Sequence, residues 1–280
     1  MRVRRRTAIP ELARHAAMLL ILALVLYPFF MLITLSFKNN PQFMHERWTL
    51  SFPLHLNNYV AAMEALIGYV VNSFIVTGLT CVGVVSLAAF SAYVFARFEF
   101  PGRQFLFYAI ISLMMIPGIL GLVPLFMIVK RLGLLDTYWA LVLPYIAGGQ
   151  VMGIFLLRTF FAAIPGDLFD ASRIDGAGDF RTFVSVAVPL CKPMLATVAI
   201  ITVLSSWNDL IWPLVVIQDN RLKTITIGLL RFQSQFVSQS VTQWGPLFAG
   251  YVVAFIPLLV LFLATSKTFV EGLTSGALKA

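Results

Sequence analysis

The chain has 280 residues, of which 60% are hydrophobic and only 11% are charged, and its formal net charge is +8. Soluble domains contain roughly 45–50% apolar and about 25% charged residues. The composition therefore excludes a disordered chain, a disulfide scaffold and an ordinary cytosolic enzyme, and it indicates a polytopic membrane protein.

Six long apolar stretches are nearly free of Asp, Glu, Lys and Arg, and within the fifth only Asp209 is charged. A transmembrane helix needs about 20 consecutive apolar residues, so each stretch can hold one span. Transmembrane β-strands would instead show segments of about 10 residues that alternate between polar and apolar. The sequence therefore predicts an all-α fold with six transmembrane helices. The expected spans are 16–36, 72–96, 105–128, 138–162, 193–216 and 245–267.

The basic residues indicate which side of the membrane each connecting segment faces. Residues 1–15, 97–103, 163–192 and 268–280 contain 11 Lys and Arg in 65 positions, whereas the opposite segments contain 7 in 70. Cytoplasmic loops carry the excess of Lys and Arg, so both termini are predicted to be cytoplasmic. The same asymmetry accounts for the net charge without a nucleic-acid partner.

The first apolar run is expected to stay in the protein as a helix that also acts as a signal anchor. It is about 21 residues long, which exceeds the apolar part of a secretory signal, and no small-residue cleavage site follows it. The segment after it predicts a loop and an amphipathic helix near 58–68 on the periplasmic face. That helix would meet another protein or lie in the lipid interface.

The chain lacks the usual residues of an enzyme or an ion-coupled carrier. It contains no Gly-Lys dipeptide, so it has no phosphate-binding loop of the G-x-x-x-x-G-K type. His15, His45 and His55 form no H-E-x-x-H pair, and Cys81 and Cys191 are not placed for a disulfide or a metal site. No catalytic residue and no metal site are predicted. Ion-coupled carriers need ionisable groups inside the bundle, so any energy should come from a partner.

The link between the fourth and fifth spans carries the strongest signal. Pro165 ends the incoming helix, and Asp167 is expected to cap a new short helix, with Asp170 in the capping-box position. Gly176 is placed to end that helix in a left-handed conformation. Asp179 is then expected to cap a second turn. Such a helix either lies in the lipid interface or docks on a protein, and small residues with several carboxylates favour docking.

These residues resemble a known motif. The segment 170–177, Asp-Ala-Ser-Arg-Ile-Asp-Gly-Ala, followed by Pro189 and Pro193, resembles the EAA loop of permease subunits in bacterial ABC importers. It departs from the usual pattern at Asp170, where Glu is typical, and at Ser172, where Ala is typical. Four further segments resemble the carbohydrate-uptake branch of that family, namely the six-span permease of maltose-type importers. They are 96–102, 133–137, 206–213 and 270–279.

The resemblance implies a fold, partners and a coupling site. The fold would be the transmembrane fold of type I ABC importers in the bacterial inner membrane. Residues 1–15 would be a cytoplasmic segment, 16–66 the first helix and a periplasmic loop, 67–267 the permease core with a coupling loop at 164–192, and 268–280 a cytoplasmic tail.

The implied partners are a second homologous permease, two ATP-binding subunits and an extracytoplasmic solute-binding protein. ATP and Mg²⁺ would bind the ATPase, so this chain needs no cofactor. The ATPase would contact a coupling helix and also the tail 274–280, with Asp170 pairing with a basic group. The coupling residues would be Asp170, Ala171, Ser172, Asp175 and Gly176.

Polar and aromatic residues within the spans are the candidates for a substrate path, because sugars need hydrogen bonds and flat apolar contacts. They are Asn72, Tyr145, Gln150, Trp207 and Asn208. Bonding and packing between helices is the alternative role for each of them. Asp209 is the one carboxylate within an apolar span, and it is expected to have a gating or structural role near the outer interface.

The prediction is thus the permease subunit of an ABC importer that moves a carbohydrate by alternating access, driven by ATP hydrolysis on partner subunits. An importer of a polyol, a glycerol phosphate or another solute is the alternative within the same class. A secondary carrier and an intramembrane enzyme are disfavoured by the scarcity of charge and of nucleophile–base pairs inside the spans.

Overall fold

The computed structural model describes residues 8–237 and 242–277, with side chains except at 8–10, 12 and 267–277. Apart from one isolated bridge between Val237 and Thr242, the regular structure in this part of the chain is helical, which confirms the all-α prediction. The helices are α1 Ala8–Ser36, α2 Asn40–His45, α3 Asn57–Arg97, α4 Arg103–Ser112, α5 Leu122–Arg131, α6 Trp139–Ala163, α7 Gly166–Ile174, α8 Asp179–Thr182, α9 Val188–Leu190, α10 Lys192–Asn208, α11 Ile211–Val216, α12 Ile225–Phe236 and α13 Trp244–Ala277.

Four of these helices contain a segment long and apolar enough to cross a membrane, namely Ala13–Ser36, Asn57–Arg97, Trp139–Ala163 and Trp244–Ser266. Two further helical pairs are bent: Arg103–Met115 with Gly118–Arg131 at 97°, and Asp179–Leu190 with Lys192–Asn208 at 80°. When each bent pair is counted as one span, the described residues give up to six spans, the number predicted from the sequence. The predicted fifth span falls on Lys192–Asn208 and α11, and Asp179–Leu190 belongs to the loop that precedes it.

The third and fifth spans are not the continuous helices expected at 105–128 and 193–216. The third breaks at Pro117, because proline has no N–H to donate and forces the preceding residue, Ile116, into an extended conformation (φ −87°, ψ 117°). The fifth ends at Asn208 and restarts at Ile211, with Asp209 extended between them (φ −69°, ψ 129°). A hydropathy window does not detect either break, since the flanking residues stay apolar.

The second span is longer than expected. The structure joins the amphipathic helix predicted near 58–68 to the second span in the single 41-residue helix α3. No proline occurs between Asn57 and Arg97, so nothing in this segment stops the helix once it has begun.

The described residues divide into two compact units, one within Met1–Ile67 and Leu229–Ile256 and the other within Gly68–Gly228 and Pro257–Ala280. In the first unit, Phe43 stacks on Trp244 with ring centroids 4.7 Å apart. Lys38 is buried there, and its ammonium donates to the carbonyls of Glu46 and Thr49. Burial lowers the pKa of Lys38 below its ordinary value, and the nearby Glu46 carboxylate opposes that shift.

The second unit contains the candidate sites. One apolar cluster packs the ends of α3 and α6 against the loop 164–190. A second cluster forms around Trp212 of α11, whose indole N–H donates to the carbonyl of Ala140 at 2.9 Å.

Candidate functional site

The loop between α6 and α10 begins where Pro165 stops α6. Ile164 is extended (φ −69°, ψ 131°), so carbonyls of the last turn of α6 have no helical donor. The guanidinium of Arg97, at the end of α3, donates to the carbonyl of Phe161 at 2.6 Å and to that of Ile164. A cation at a helix C-terminus also complements the helix dipole.

The same guanidinium reaches α7. It lies over the ring of Phe169 with the central carbon 4.0 Å from the ring centroid, and Phe169 is buried. Cation–π contacts of this kind are attractive. Arg97 therefore joins α3, α6 and α7 at one point, and we call this set of contacts the Arg97 clasp.

An aromatic cluster supports the inner face of the loop. The ring of Tyr93 lies 5.9 Å from Phe161, 6.2 Å from Phe169 and 5.1 Å from Phe183, measured between centroids. These residues come from α3, α6, α7 and the π-helical turn Phe183–Ala187. Because aromatic pairs at these distances add to the energy of apolar burial, the loop is docked firmly on the helix ends.

The first turn of α7 differs from the prediction. Asp167 does not cap the helix, since α7 starts at Gly166 and the cap position is Pro165 (φ −54°, ψ 136°), with no side-chain hydrogen bond. Asp179 likewise is the first residue of α8 and follows Gly178 as the cap. Both carboxylates lie in the first turns, where they still complement the helix dipole. The capping assignments were therefore wrong by one or two positions.

The other end of α7 agrees with the prediction. Gly176 has φ +78°, and its N–H donates to the carbonyl of Arg173 at 3.0 Å. The N–H of Ala177 donates to the carbonyl of Ser172 at 3.0 Å. This pair of hydrogen bonds is the Schellman motif, which favours glycine at the left-handed position. The geometry confirms that Gly176 ends the helix in a left-handed conformation.

The outer face of α7 and α8 combines apolar side chains with carboxylates. Ile174 is 86% exposed and Phe180 71% exposed, and Leu168 is exposed as well. Asp170, Ala171 and Asp175 are exposed beside them. Arg173 approaches Asp170 and Asp179 at 3.8 Å each with exposed side chains, and such surface pairs contribute at most about 1 kcal/mol. The carboxylates thus stay accessible to another protein.

Ser172 is hydrogen-bonded within the chain, unlike the exposed Ala171 beside it. Its hydroxyl lies 2.9 Å from that of Thr182, which is buried, so this pair ties α7 to α8 within the chain. The hydroxyl explains locally why Ser fits where the family motif has Ala. A contact between Ser172 and an ATPase stays a prediction.

The predicted substrate-path residues are scattered. Asn72 is buried, donates to the carbonyls of Arg221 (2.7 Å) and Lys223 (2.9 Å), and accepts from the hydroxyl of Tyr138 (2.8 Å). Both ends of its amide are therefore engaged by the chain, which favours a structural role in holding the 217–224 segment.

Neither of the two cavities described below is lined by Gln150, Trp207 or Asn208. Trp207 is buried edge-on against Phe74, with centroids 5.1 Å apart. Asn208 donates to the carbonyl of Leu204 at 2.8 Å, and Gln150 donates to that of Ile146 at 3.1 Å. Substrate contact at these three positions stays a prediction.

Asp209 and Tyr145 form a hydrogen-bonded pair. The Tyr145 hydroxyl donates to Oδ2 of Asp209 at 2.8 Å, while Oδ1 accepts from the N–H groups of Ile211 (3.0 Å) and Trp212 (3.4 Å). The carboxylate thus accepts from the first two N–H groups of α11, although Leu210 occupies the cap position, and it bridges the break between α10 and α11. These contacts support the structural reading, and gating stays a prediction.

Two cavities lie on either side of Tyr145, and Asp209 lines only the larger one. The small cavity has a volume of about 330 Å³ and lies between α3, α6 and α10. The large cavity, about 670 Å³, lies beside the broken third span and α11. Pro144 and Tyr145 line both.

Sequence reasoning missed two groups of residues. Arg97 entered the sequence analysis as a cytoplasmic charge and as part of the segment 96–102, with no structural role. Pro165 was the available signal, because it ends α6 and leaves carbonyls there that need donors. The hydroxyl residues of the small cavity gave no signal, because Ser and Thr within apolar helices are common. Those hydroxyl residues are Thr80, Thr202, Ser205 and Ser206.

Several apolar spans, an exposed loop docked on helix ends and a cavity between α3, α6 and α10 are together the features of a membrane permease. The chain belongs to the family of binding-protein-dependent transport system inner membrane components, which matches residues 84–273. It is thus a multi-pass inner-membrane permease of an ABC importer, a class that works with ATP-binding subunits and a solute-binding protein. The predicted family, the all-α membrane fold and the location are confirmed, and the cytoplasmic placement of both termini stays a prediction.

Curated relatives match nearly the whole chain. A probable ABC transporter permease, YurM of Bacillus subtilis, is 36% identical over 99% of this chain and 91% of its own. The diacetylchitobiose uptake permease NgcG of Streptomyces coelicolor is 33% identical over 95% and 88%. The trehalose/maltose permease MalG of Thermococcus litoralis is 31% identical over 93% and 94%.

The fold also matches a solved structure. A bacterial ABC transporter that imports the acidic polysaccharide alginate superposes with a TM-score of 0.83, covering 95% of this chain and 99% of that chain at 20% identity. At this identity the likeness supports the fold alone.

Proposed function

We propose that this chain is the permease subunit of an importer that moves a carbohydrate by alternating access, with a second homologous permease, two ATP-binding subunits and an extracytoplasmic solute-binding protein. The observation that carries the proposal is the exposed outer face of α7, whose opposite face packs on the aromatic cluster. The relatives of the chain include named sugar permeases. ATP hydrolysis takes place on the partner subunits, which hold ATP and Mg²⁺, and this chain holds no cofactor.

The outer face of α7 is the surface on which the ATPase docks. Ile174 and Leu168 supply apolar contact, and Asp170 pairs with a basic group of the ATPase. Ala171, Asp175 and Gly176 complete the contact. Because the Arg97 clasp and the aromatic cluster tie α7 to α3 and α6, a displacement of α7 by the ATPase moves both spans. Docking thereby opens or closes the bundle.

The topology follows from this docking. The loop 164–192 faces the cytoplasm, and an even number of spans then puts both termini on the same side. The tail 268–280 also reaches the ATPase through 274–280. The backbone of α13 continues to Ala277, and residues 278–280 lie outside the described residues. The division into 1–15, 16–66, 67–267 and 268–280 is part of the same proposal.

A glycerol phosphate is the second candidate for the solute. The sn-glycerol-3-phosphate permease UgpE of Brucella abortus is 31% identical over 95% of this chain. A phosphate needs cationic or N–H donors, and the residues that line the small cavity include neither Lys nor Arg. That lining favours a neutral polyhydroxylated solute.

The test is transport by the complete complex in proteoliposomes. The labelled solutes are trehalose, melibiose, diacetylchitobiose and sn-glycerol-3-phosphate, each with the binding protein and ATP supplied. We expect ATP-dependent uptake of at least one sugar. Uptake of sn-glycerol-3-phosphate alone would support the second candidate, and uptake without ATP would contradict the proposed mechanism.

A further inference from the structure

The segment 48–56, between α2 and α3, has an apolar side that the described part of the chain leaves uncovered. Every second residue from Trp48 to Leu56 is large and apolar, and all five of these side chains are exposed, Trp48 by 67% and Phe52 by 73%. Between them, Ser51 is buried and His55 is half-buried. The segment therefore turns an apolar surface outward and polar side chains toward the protein.

Hydrogen bonds hold this segment at the end of the first span. The N–H of His55 donates to the carbonyl of Phe37 at 2.8 Å. The side-chain amide of Asn58 donates to the carbonyls of Ser36 at 2.9 Å and Lys38 at 3.0 Å. Because these partners are the last residue of α1 and the two that follow it, the segment 48–56 lies at the depth where α1 ends.

The end of α1 lies at the boundary between hydrocarbon and headgroups. The apolar helix Ala13–Ser36 has 24 residues, which corresponds to about 36 Å at 1.5 Å per residue. The hydrocarbon core is about 30 Å thick, and the bilayer with its headgroup regions about 40–45 Å. A helix of intermediate length ends within the headgroup region, so the segment held at its end is at that level too.

The backbone of the segment finds hydrogen-bond donors inside the protein. The ammonium of Lys38 donates to the carbonyls of Glu46 and Thr49. The side-chain amide of Gln42 donates to the carbonyl of Pro53 at 3.1 Å. Irregular backbone that leaves water must find such partners in the protein, whereas a loop in water has solvent to bond. These donors therefore suit a loop that rests against lipid.

The side chains also match a lipid surface better than a protein partner. Tryptophan is enriched where a membrane meets water, and interfacial segments combine Trp, Phe and Leu on one side. A reversible protein contact would have a polar rim, but the segment 48–56 contains no Asp, Glu, Lys or Arg. The exposed Arg47, whose guanidinium lies 4.9 Å from the centroid of the Phe43 ring, precedes it and can extend toward headgroup phosphates.

We propose that the segment 48–56 is an interfacial anchor, in which Trp48 and Phe52 enter the boundary between the headgroups and acyl chains of the bilayer. The anchor fixes the depth of the end of α1, since His55 and Asn58 bond to the residues at that end. In the topology proposed above the anchor occupies the outer leaflet, but its contact with lipid does not depend on that topology.

The first test identifies what touches the segment. The photoreactive residue p-benzoylphenylalanine replaces Trp48, Phe52 or Arg221 in turn, in the complete complex in proteoliposomes that contain radiolabelled phosphatidylethanolamine. Arg221 is the control because its side chain is 88% exposed outside this segment. Burial of a large apolar side chain corresponds to at least a roughly tenfold preference for the inserted position. We expect the lipid label to be transferred at positions 48 and 52 in excess of position 221 by that factor, with or without the binding protein.

The second test needs no bulky substituent. Phe52→Cys and Arg221→Cys are made in a chain whose Cys81 and Cys191 are replaced by Ala, and a charged, membrane-impermeant maleimide is added to the proteoliposomes. We expect Phe52→Cys to be alkylated roughly tenfold more slowly than Arg221→Cys.

Lipid labelling at positions 48 and 52 that does not exceed labelling at position 221 would overturn the anchor, and a cross-link to the binding protein or the second permease would then identify the occupant. Alkylation of Phe52→Cys as fast as that of Arg221→Cys would overturn it as well. Neither readout requires transport, so a complex that imports no sugar would contradict the proposed function and leave the anchor standing.

Discussion

Replacing Arg97 by Ala removes every contact of the Arg97 clasp at once. Two hydrogen bonds from a charged donor to carbonyls are lost, each contributing about 1.5–3 kcal/mol, together with a cation–π contact of about 0.5–2 kcal/mol. Because such terms are not additive and the site is only partly buried, the local docking of α7 should weaken by about 3–5 kcal/mol. At 1.4 kcal/mol per tenfold, the loop would open roughly 100 to 4,000 times more often.

Two measurements check this prediction in the reconstituted complex. Hydrogen exchange of the amides in 166–175 should accelerate by that factor, and the number of ATP molecules hydrolysed per solute imported should rise several-fold. Arg97→Lys keeps the charge but not the planar, forked guanidinium. Its exchange rate and its ratio of ATP hydrolysed to solute imported should therefore be intermediate between those of the wild type and Arg97→Ala. Arg158→Ala is the matched control, since that guanidinium lies 3.7 Å from the centroid of the Phe107 ring on α4. Unchanged exchange and unchanged coupling in Arg97→Ala would refute the reasoning.

Three further predictions concern the coupling loop, the break in the fifth span and the tail. Gly176→Val should preserve assembly but uncouple ATP hydrolysis from uptake, because a left-handed conformation costs an L-residue about 1–2 kcal/mol. Gly176→Asn should stay coupled. Wild-type uptake by Gly176→Val would contradict this prediction. Asp209→Asn keeps one oxygen that can accept from the α11 N–H groups, so the rate of uptake should fall less than about threefold. A larger loss would show that transport needs the negative charge of the carboxylate. Deletion of 274–280 should reduce the stimulation of ATP hydrolysis by solute-loaded binding protein, and full stimulation would exclude the tail contact.

Charge-free runs predicted the number of spans well, because burial of charge in lipid is costly wherever it occurs along a helix. The breaks at Pro117 and Asp209 were not predicted, since both lie inside stretches whose mean hydropathy stays high. The helix end at Gly176 was predicted correctly because glycine has a specific conformational reason to be there. The start of α7 was not, because Pro165 occupies the position that a capping side chain would otherwise take.

The polar sites were harder to predict than the spans. Asn72 resembled a substrate contact, but its partners Arg221 and Lys223 lie about 150 positions away in the sequence. The small cavity likewise combines Thr80, Gly148 and Ser206 from three helices. Single-sequence periodicity identifies the face of a helix but not the helix that packs on it, so these groupings needed the structure.

The most direct test of the central claim is co-purification of the ATP-binding subunit with the tagged chain. The wild type should bring down both the second permease and the ATP-binding subunit. Ile174→Asp places a charge on the most exposed apolar side chain of α7, and it should retain the second permease while losing most of the ATP-binding subunit. Wild-type recovery of the ATP-binding subunit with Ile174→Asp would contradict docking through α7.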